Sequence, residues 1–342
     1  MPLLLSALYC FVIVFLVTPL LKILALKFSI LDIPNARKIH TEPTPLLGGL
    51  AVYAGVIFGL MFDFANLQFI SGILIGATIV LVIGLIDDII KLSAKVRIIF
   101  QVLAVLIMIR FGIRISFLPN NFWGNIGEII LTLIWTIGIT NALNYLDGID
   151  GLSAGIAGIS ALIFAIIAFQ THQSAITLTS IILAASCLGF LPHNFKRGKI
   201  FLGDAGSTFI GFMLAGISLI GNWAEDNVVK LVVPILILGV PIFDMVLTTI
   251  MRIKEDKIST VIEWLQYEGK DHFHHRLIDL GLRPLGAVLF IYFINISFGI
   301  SAITVSNDRA ILGLLSILQA AIIFAGIAVL MITSRRSSKI TH

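Results

Sequence analysis

The chain has 342 residues, 58% of them hydrophobic and only 12% charged, with a formal net charge of +4. An ordinary soluble domain carries about 25% charged residues, so this composition and a mean hydropathy of +1.06 exclude a water-soluble globule and predict an all-α polytopic integral membrane protein. A membrane β-barrel is excluded by pattern: barrel strands alternate over about ten residues, whereas these apolar runs continue for about twenty.

The first run, MPLLLSALYCFVIVFLVTPLL, has no basic leader and no small-residue cleavage site, and reads as a retained span rather than a signal peptide. Eleven transmembrane helices are predicted, over residues 3–26, 48–66, 70–87, 95–112, 124–142, 153–170, 174–191, 205–221, 228–250, 285–304 and 309–333. The boundary between the second and third is soft. Nineteen of the 23 Lys and Arg residues fall on one side, with only Arg110, Arg114, Lys230 and Arg309 on the other. The positive-inside bias therefore predicts an outside N-terminus and a cytoplasmic C-terminus. One transmembrane domain is expected over 1–342, with cytoplasmic loops near 27–47, 88–94, 143–152, 192–204 and 251–284. The outer segment GIRISFLPNNFWGN alternates briefly around Pro-Asn-Asn and predicts a small hairpin. Cys10 and Cys187 lie inside apolar runs and read as inert buried thiols. No basic stripe with interleaved aromatics points to nucleic acid.

The polar residues concentrate on the predicted cytoplasmic side: LDIPNARKIHTEPTPLLGG (31–49), GLIDDIIK (84–91), NALNYLDGIDG (141–151), PHNFKRGKIFLGDAGS (192–207), PIFD (241–244) and GKDHFHHRLIDLGL (269–282). Aspartates are costly at mid-bilayer, about 2.5–3.5 kcal/mol each on insertion scales, so helix tips opening onto one aqueous cavity would explain Asp87, Asp88, Asp147, Asp150, Asp204 and Asp244. Adjacent Asp87 and Asp88 repel unless a cation or proton intervenes; Lys91 follows three residues later, and a solvated helix end is the bland alternative. Asn141, Asn144 and Asp147 form a polar stripe at i, i+3, i+6, and Gly148 and Gly151 let the backbone approach a ligand beside Ile149 and Asp150. In FLGDAGS, Asp204 sits between Gly203 and Gly206, with Phe201 three residues before; a plain helix cap competes with a ligand-binding role. HFHHR groups His272, His274, His275 and Arg276, a cationic phosphate clamp in preference to a zinc site, since no thiolate is near and His-Glu-x-x-His does not occur. Asp244 would either serve the ligand shell or bond a neighbouring helix. Carboxylates without thiolates suit a hard cation, Mg²⁺ with Mn²⁺ as a substitute, and Mg²⁺ with cationic donors suits diphosphate chemistry.

DDIIK, NALNYLDGIDGL, FLGDAGS and HFHHR, in this order and after DIPNARKIHTEPTPLLGG, resemble the polyprenyl-phosphate N-acetylhexosamine-1-phosphate transferases, a superfamily that also contains phospho-N-acetylmuramoyl-pentapeptide transferase. Phe273 interrupts the three consecutive histidines of the muramoyl branch, so the loop looks like the WecA/TagO-like branch. The resemblance implies a multi-pass enzyme of the bacterial cytoplasmic membrane, its site facing the cytoplasm, that moves GlcNAc-1-phosphate from the UDP-sugar to undecaprenyl phosphate and releases UMP. It implies Asp204 as the Mg²⁺ aspartate, Asp87 and Asp88 as the catalytic pair, and Asp147, Gly148, Ile149 and Asp150 as the nucleoside-binding turn. It further implies Phe201 against uracil, Asn194 in the active site, and His272, His274 and His275 near the diphosphate. Lys38, His40 and Lys91, clustered at helix ends, would hold the lipid phosphate. A homodimer is left open. A lipid-phosphate or nucleotide-sugar transporter and an intramembrane metallohydrolase are the rival classes.

Overall fold

The computed structural model describes residues 3–34, 42–61, 64–195, 200–260, 263–264, 267, 269, 271–306 and 310–340. They form two compact units, Met1–Asn222 and Trp223–His342. The first contains α1 (Leu3–Lys27), β1 (Leu31–Asp32), β2 (Thr44–Pro45), α2 (Gly48–Leu60), α3 (Phe64–Phe69), α4 (Ser71–Ile90), α5 (Ala94–Arg110), α6 (Phe122–Tyr145), α7 (Leu152–Gln170), α8 (Ser174–Asn194) and α9 (Gly203–Ile220). The second contains α10 (Asn227–Ile237), α11 (Gly239–Lys254), α12 (Phe273–Asp279), α13 (Pro284–Val305) and α14 (Ala310–Ile340).

In a bilayer the backbone must bond to itself, so apolar runs become helices. Every predicted span coincides with a helix, but not all are long enough to cross alone. Among the described residues eight helices are long and apolar enough, or nine if the bent pair α10 and α11 makes one span. Of the remaining two predicted spans, 48–66 contains a helix of only 13 residues, α2, and 95–112 one of 17, α5. The α10–α11 pair bends by 75°: Pro241 has no N–H to donate to the carbonyl of Ile237, so the ladder stops at Leu238. The predicted outer hairpin does not form among the described residues. Residues 111–121 are irregular because α6 side chains satisfy their backbone: Ile115 N–H donates to Thr132 and Leu118 N–H to Glu128.

The two strands form one short antiparallel ladder, pairing Leu31 with Pro45 and Asp32 with Thr44. The segment before α9 is laced to it, with Phe201 N–H donating to Pro45 (2.8 Å) and Gly48 and Gly49 N–H donating to Phe201 and Leu202 (2.9 Å each). Helix α9 is the most enclosed of the long helices and packs against α2, α4, α6 and α7. Small residues make this possible. A Cβ on Gly49 would stand 2.3 Å from the Cα of Gly206, and one on Gly84 would stand 2.6 Å from the backbone of Ala205. At the opposite end of α9, Gln173 grips Asn222 twice, donating to its carbonyl and accepting its N–H, each at 2.7 Å. Cys10 and Cys187 are buried and free, as predicted.

The α2–α9 crossing is backbone against backbone, so Gly49→Val cannot be absorbed by rotating a side chain. Overpacking costs about 1–3 kcal/mol or more. The variant is expected to melt several degrees lower in detergent, or to lose folded yield, as read by scanning fluorimetry and size-exclusion chromatography.

Candidate active site

Asp87, Asp88 and Asp204 meet where α4 ends and α9 begins. The N-terminus of α9 leaves amides without intrahelical partners, and its N-cap residue, Leu202, offers no side-chain acceptor. Asp88 supplies one from α4: Oδ1 accepts Asp204 N–H (2.9 Å) and Oδ2 accepts Ala205 N–H (3.2 Å). A carboxylate is favoured at this positive end of the helix dipole. Gly203 has φ +73°, and a Cβ there would lie 2.4 Å from the Asp88 carboxylate, so only glycine lets the two elements meet. Asp204 is therefore not the cap of α9. It is free to face the cavity, where Oδ1 accepts Asn144 Nδ2 (2.9 Å) and Oδ2 meets Arg97 Nη1 (3.4 Å).

Arg97 also pairs with Asp87 Oδ2 (3.0 Å), while Asp87 Oδ1 accepts Leu92 N–H. One guanidinium nitrogen thus bridges the carboxylates of Asp87 and Asp204. Around them lies a cavity lined by Val80, Ile83, Phe100, Gln101, Asn141 and Thr208 as well as Arg97, Asn144 and Asp204. Gln101 and Asn141 exchange side-chain hydrogen bonds (2.8 and 3.3 Å), and Asn144 also donates to Ser207 (2.9 Å).

The predicted polar stripe is shorter than the spacing implied. Helix α6 ends at Tyr145, so Asn141 and Asn144 share a face and Asp147 lies beyond it in a turn. Burial raises the pKa of the Asp147 carboxyl well above the ordinary value, reinforced by Asp204, Asp88, Asp32 and Asp150, so the turn stands within electrostatic reach of the acidic pair. Asn194 is buried and acts as a brace, accepting Gly151 N–H (2.7 Å) and donating to Ile200 O (3.0 Å). It joins the two motif loops. Gly151 has φ +81° and packs against Phe195. Ile149 is buried, Gly148 is exposed, and Asp150 and Phe201 are half-buried. Lys91 is exposed past the end of α4, with no ion pair to Asp87 or Asp88 among the described residues; Arg97 takes that position. Lys38 and His40 lie outside the described residues.

His272, His274, His275 and Arg276 belong to the second unit. Asp244, fully buried in α11, accepts His272 Nδ1–H (2.8 Å) and Phe273 N–H. Arg252 makes a two-toothed pair with Asp271 (both 2.8 Å), lies over the Tyr267 ring, and reaches His272 Nε2 (3.3 Å). Burial acts to raise the Asp271 carboxyl, but the bonds and charge of Arg252 overcome it and hold the pKa below the ordinary value. His274 is buried, and neither ring nitrogen has a hydrogen-bond partner among the described residues. Burial first, then neighbouring His275, pushes its pKa down to about 3 against the opposing pull of Asp244. It is therefore a neutral group at neutral pH.

Sequence reasoning missed Arg97, Gln101, Ser207, Arg252 and Asp271. A signal existed for the first two: Arg97 and Gln101 are spaced i, i+4 on a largely apolar helix, so they share a face.

Fold and site define a multi-pass helical membrane protein with a cluster of carboxylates at its helix ends. The model of glycosyl transferase family 4 matches residues 70–222, which hold the whole acidic site. A probable undecaprenyl-phosphate N-acetylglucosaminyl 1-phosphate transferase of Bacillus subtilis (strain 168) is 35% identical, over 86% of this chain and 82% of the relative. A decaprenyl-phosphate N-acetylglucosaminephosphotransferase of Mycobacterium leprae is 32% identical, over 95% and 89% respectively. An undecaprenyl-phosphate alpha-N-acetylglucosaminyl 1-phosphate transferase of Salmonella typhi is 29% identical, over 78% and 74%. The chain belongs to glycosyl transferase family 4, within its polyprenyl-phosphate N-acetylhexosamine-1-phosphate transferases.

Two outcomes are expected. Asp88→Asn turns one acceptor of α9 amides into a donor facing a donor; an unmade bond of this kind costs about 1–3 kcal/mol. Both melting temperature and activity should fall, whereas Asp87→Asn should lower activity with a smaller thermal effect. For Asp147 the native state holds its proton more tightly than the unfolded chain does, so its contribution to stability is lost as pH rises from about 4, the unfolded value, toward the raised native one. Asp147→Asn removes that penalty and should flatten the pH dependence of the melting temperature, measured without ligand between pH 4 and 8.

Proposed function

We infer that the protein transfers GlcNAc-1-phosphate from UDP-GlcNAc to a polyprenyl phosphate, giving a polyprenyl-diphospho-sugar and UMP. The observation that carries this reading is the Asp87–Arg97–Asp204 constellation beside Asn144 at the tips of α4, α5, α6 and α9. The GlcNAc carried in the relatives' names, the undecaprenyl carrier, and a first membrane step in making a cell-envelope glycan fit the same reading. We further propose eleven spans, with α2 and α5 completing the set, an outside N-terminus, and the acidic site facing the cytoplasm of a bacterial inner membrane.

Mg²⁺ is the proposed cofactor. Among the described residues no group of three or more His, Cys, Asp or Glu side chains has ligating geometry. Mg²⁺ does not need one: it is commonly held by one or two carboxylates, with water and substrate phosphates completing the octahedron. Asp204 and Asp87, two carboxylates brought together by Arg97, fit that mode. When bound, the ion would neutralise charge on the diphosphate.

This chain's own residues favour direct attack by the lipid phosphate. That phosphate is mostly dianionic at neutral pH, its second pKa being about 6, and needs little help from a base. An aspartyl intermediate would need a free carboxylate, yet both oxygens of Asp88 accept α9 amides, and those of Asp87 accept Leu92 N–H and Arg97. Arg97 offsets the repulsion between an arriving phosphate and the aspartates. A muramoyl-pentapeptide donor and a transporter are the alternative readings. The metallohydrolase reading is opposed by His272, whose two nitrogens face Asp244 and the cationic Arg252.

The test is purified protein with radiolabelled UDP-GlcNAc, undecaprenyl or decaprenyl phosphate, and Mg²⁺. Label is expected in the lipid phase with equimolar UMP, and loss of transfer with EDTA. No lipid-linked label would defeat the reading. Initial rates should give intersecting patterns; ping-pong kinetics with UMP leaving before the lipid binds would overturn direct attack.

A further inference from the structure

The histidine loop contains three imidazoles, and their environments differ. His272 sits between two partners of opposite character. Asp244 Oδ2, an acceptor, lies 2.8 Å from Nδ1, and Arg252 Nη2, which can only donate, lies 3.3 Å from Nε2. Only one neutral tautomer satisfies both: hydrogen on Nδ1, lone pair on Nε2. A proton on Nε2 would point at the guanidinium. Each partner is fixed in turn. Asp244 is fully buried and its other oxygen accepts Phe273 N–H, at the first residue of α12. Arg252 is buried, clamped by both oxygens of Asp271 and backed by the Tyr267 ring at 4.5 Å. The backbone carbonyl of Asp271 accepts Arg276 Nε (2.6 Å), which ties the chain to the last cation of the motif. The row Asp244–His272–Arg252–Asp271 therefore runs from the bent α10–α11 span to the base of α12.

We propose that Asp244 is a positioning residue for the reaction: it holds His272 as the Nδ1–H tautomer, so His272 is the fixed strut of the histidine loop and not its proton carrier. The strut sets where His274 and His275 stand. Their rings follow from it in sequence, His272 stacked on His274 at 6.2 Å and His274 meeting His275 at 4.2 Å with the planes tilted by 43°. His272 has both nitrogens engaged within the protein, whereas His274 has neither engaged among the described residues. The proposal rests on the transferase reading above for its consequence in rate, but not for the tautomer itself.

The experiment uses the full-length protein in nanodiscs with ¹⁵N-labelled histidine, the His272 signals being assigned by difference from His272→Gln. In the wild-type protein at neutral pH, a protonated Nδ1 and a bare Nε2 are expected. In Asp244→Asn the signal should move to the Nε2–H form. The kcat for sugar-phosphate transfer should then fall by about 10²-fold, the scale of losing a group that orients a histidine, while the KM for UDP-GlcNAc changes little. A wild-type Nε2–H tautomer or imidazolium, or an Asp244→Asn protein with unchanged kcat, would overturn the proposal. The wild-type spectrum decides even if the variant does not fold. A protein that shows the expected tautomer yet transfers no sugar phosphate defeats the transferase reading and leaves the Asp244 contact standing.

Discussion

The site in the first unit depends on a carboxylate from one helix closing the open end of another. Asp88 binds the amides of Asp204 and Ala205, and this bond does two things at once. It satisfies helix donors that would otherwise be stranded in a low-dielectric bundle, where unmade hydrogen bonds are costly. It also relieves Asp204 of the capping duty its position would assign it, and so turns that side chain toward Arg97 and Asn144. Glycine at 84 and 203 is the steric condition for the contact, since a Cβ at either position would collide with the partner element. The acidic pair of DDIIK thus splits into two roles: Asp88 builds, and Asp87 holds Arg97, which lines the pocket.

The chemistry that follows is mainly one of charge balance. Asp87 and Asp204 share one guanidinium, and Asp147 stands close enough to feel both Asp88 and Asp204. A region this rich in negative charge repels a phosphate unless cations intervene. Arg97 is the fixed part of that compensation. In the second unit the same economy of charge appears in another form: Arg252 is neutralised by Asp271, and buried His274 stays neutral.

Much of this was legible in the sequence because the bilayer leaves few choices. Uninterrupted apolar runs had to be helices, and each predicted span has one. The length of α2 was not legible, because the apolar run continues past Leu60, where the helix ends. The bend before Pro241 was marked by the proline, but its size depends on packing. Aspartates flanked by glycines announced the site; Arg97 was harder to see, because a cation at a helix end looks like the ordinary charge bias of membrane loops, and only its i, i+4 spacing from Gln101 sets it apart. Arg252–Asp271 and Asp244–His272 join residues far apart in sequence, and no local pattern encodes such partnerships. The hairpin failed because Thr132 and Glu128, seventeen and ten residues along from their partners, satisfied the backbone that strand pairing would have served.

Helix α9 is fastened at both extremities, by Asp88 at its beginning and by the double grip of Gln173 on Asn222 just past its end. Sliding it lengthwise would break bonds at each terminus together, and its glycine crossings with α2 and α4 leave no slack sideways. It serves as a stationary rail. Any change of shape at the acidic cluster therefore has to come from the elements around it, with the rail left untouched.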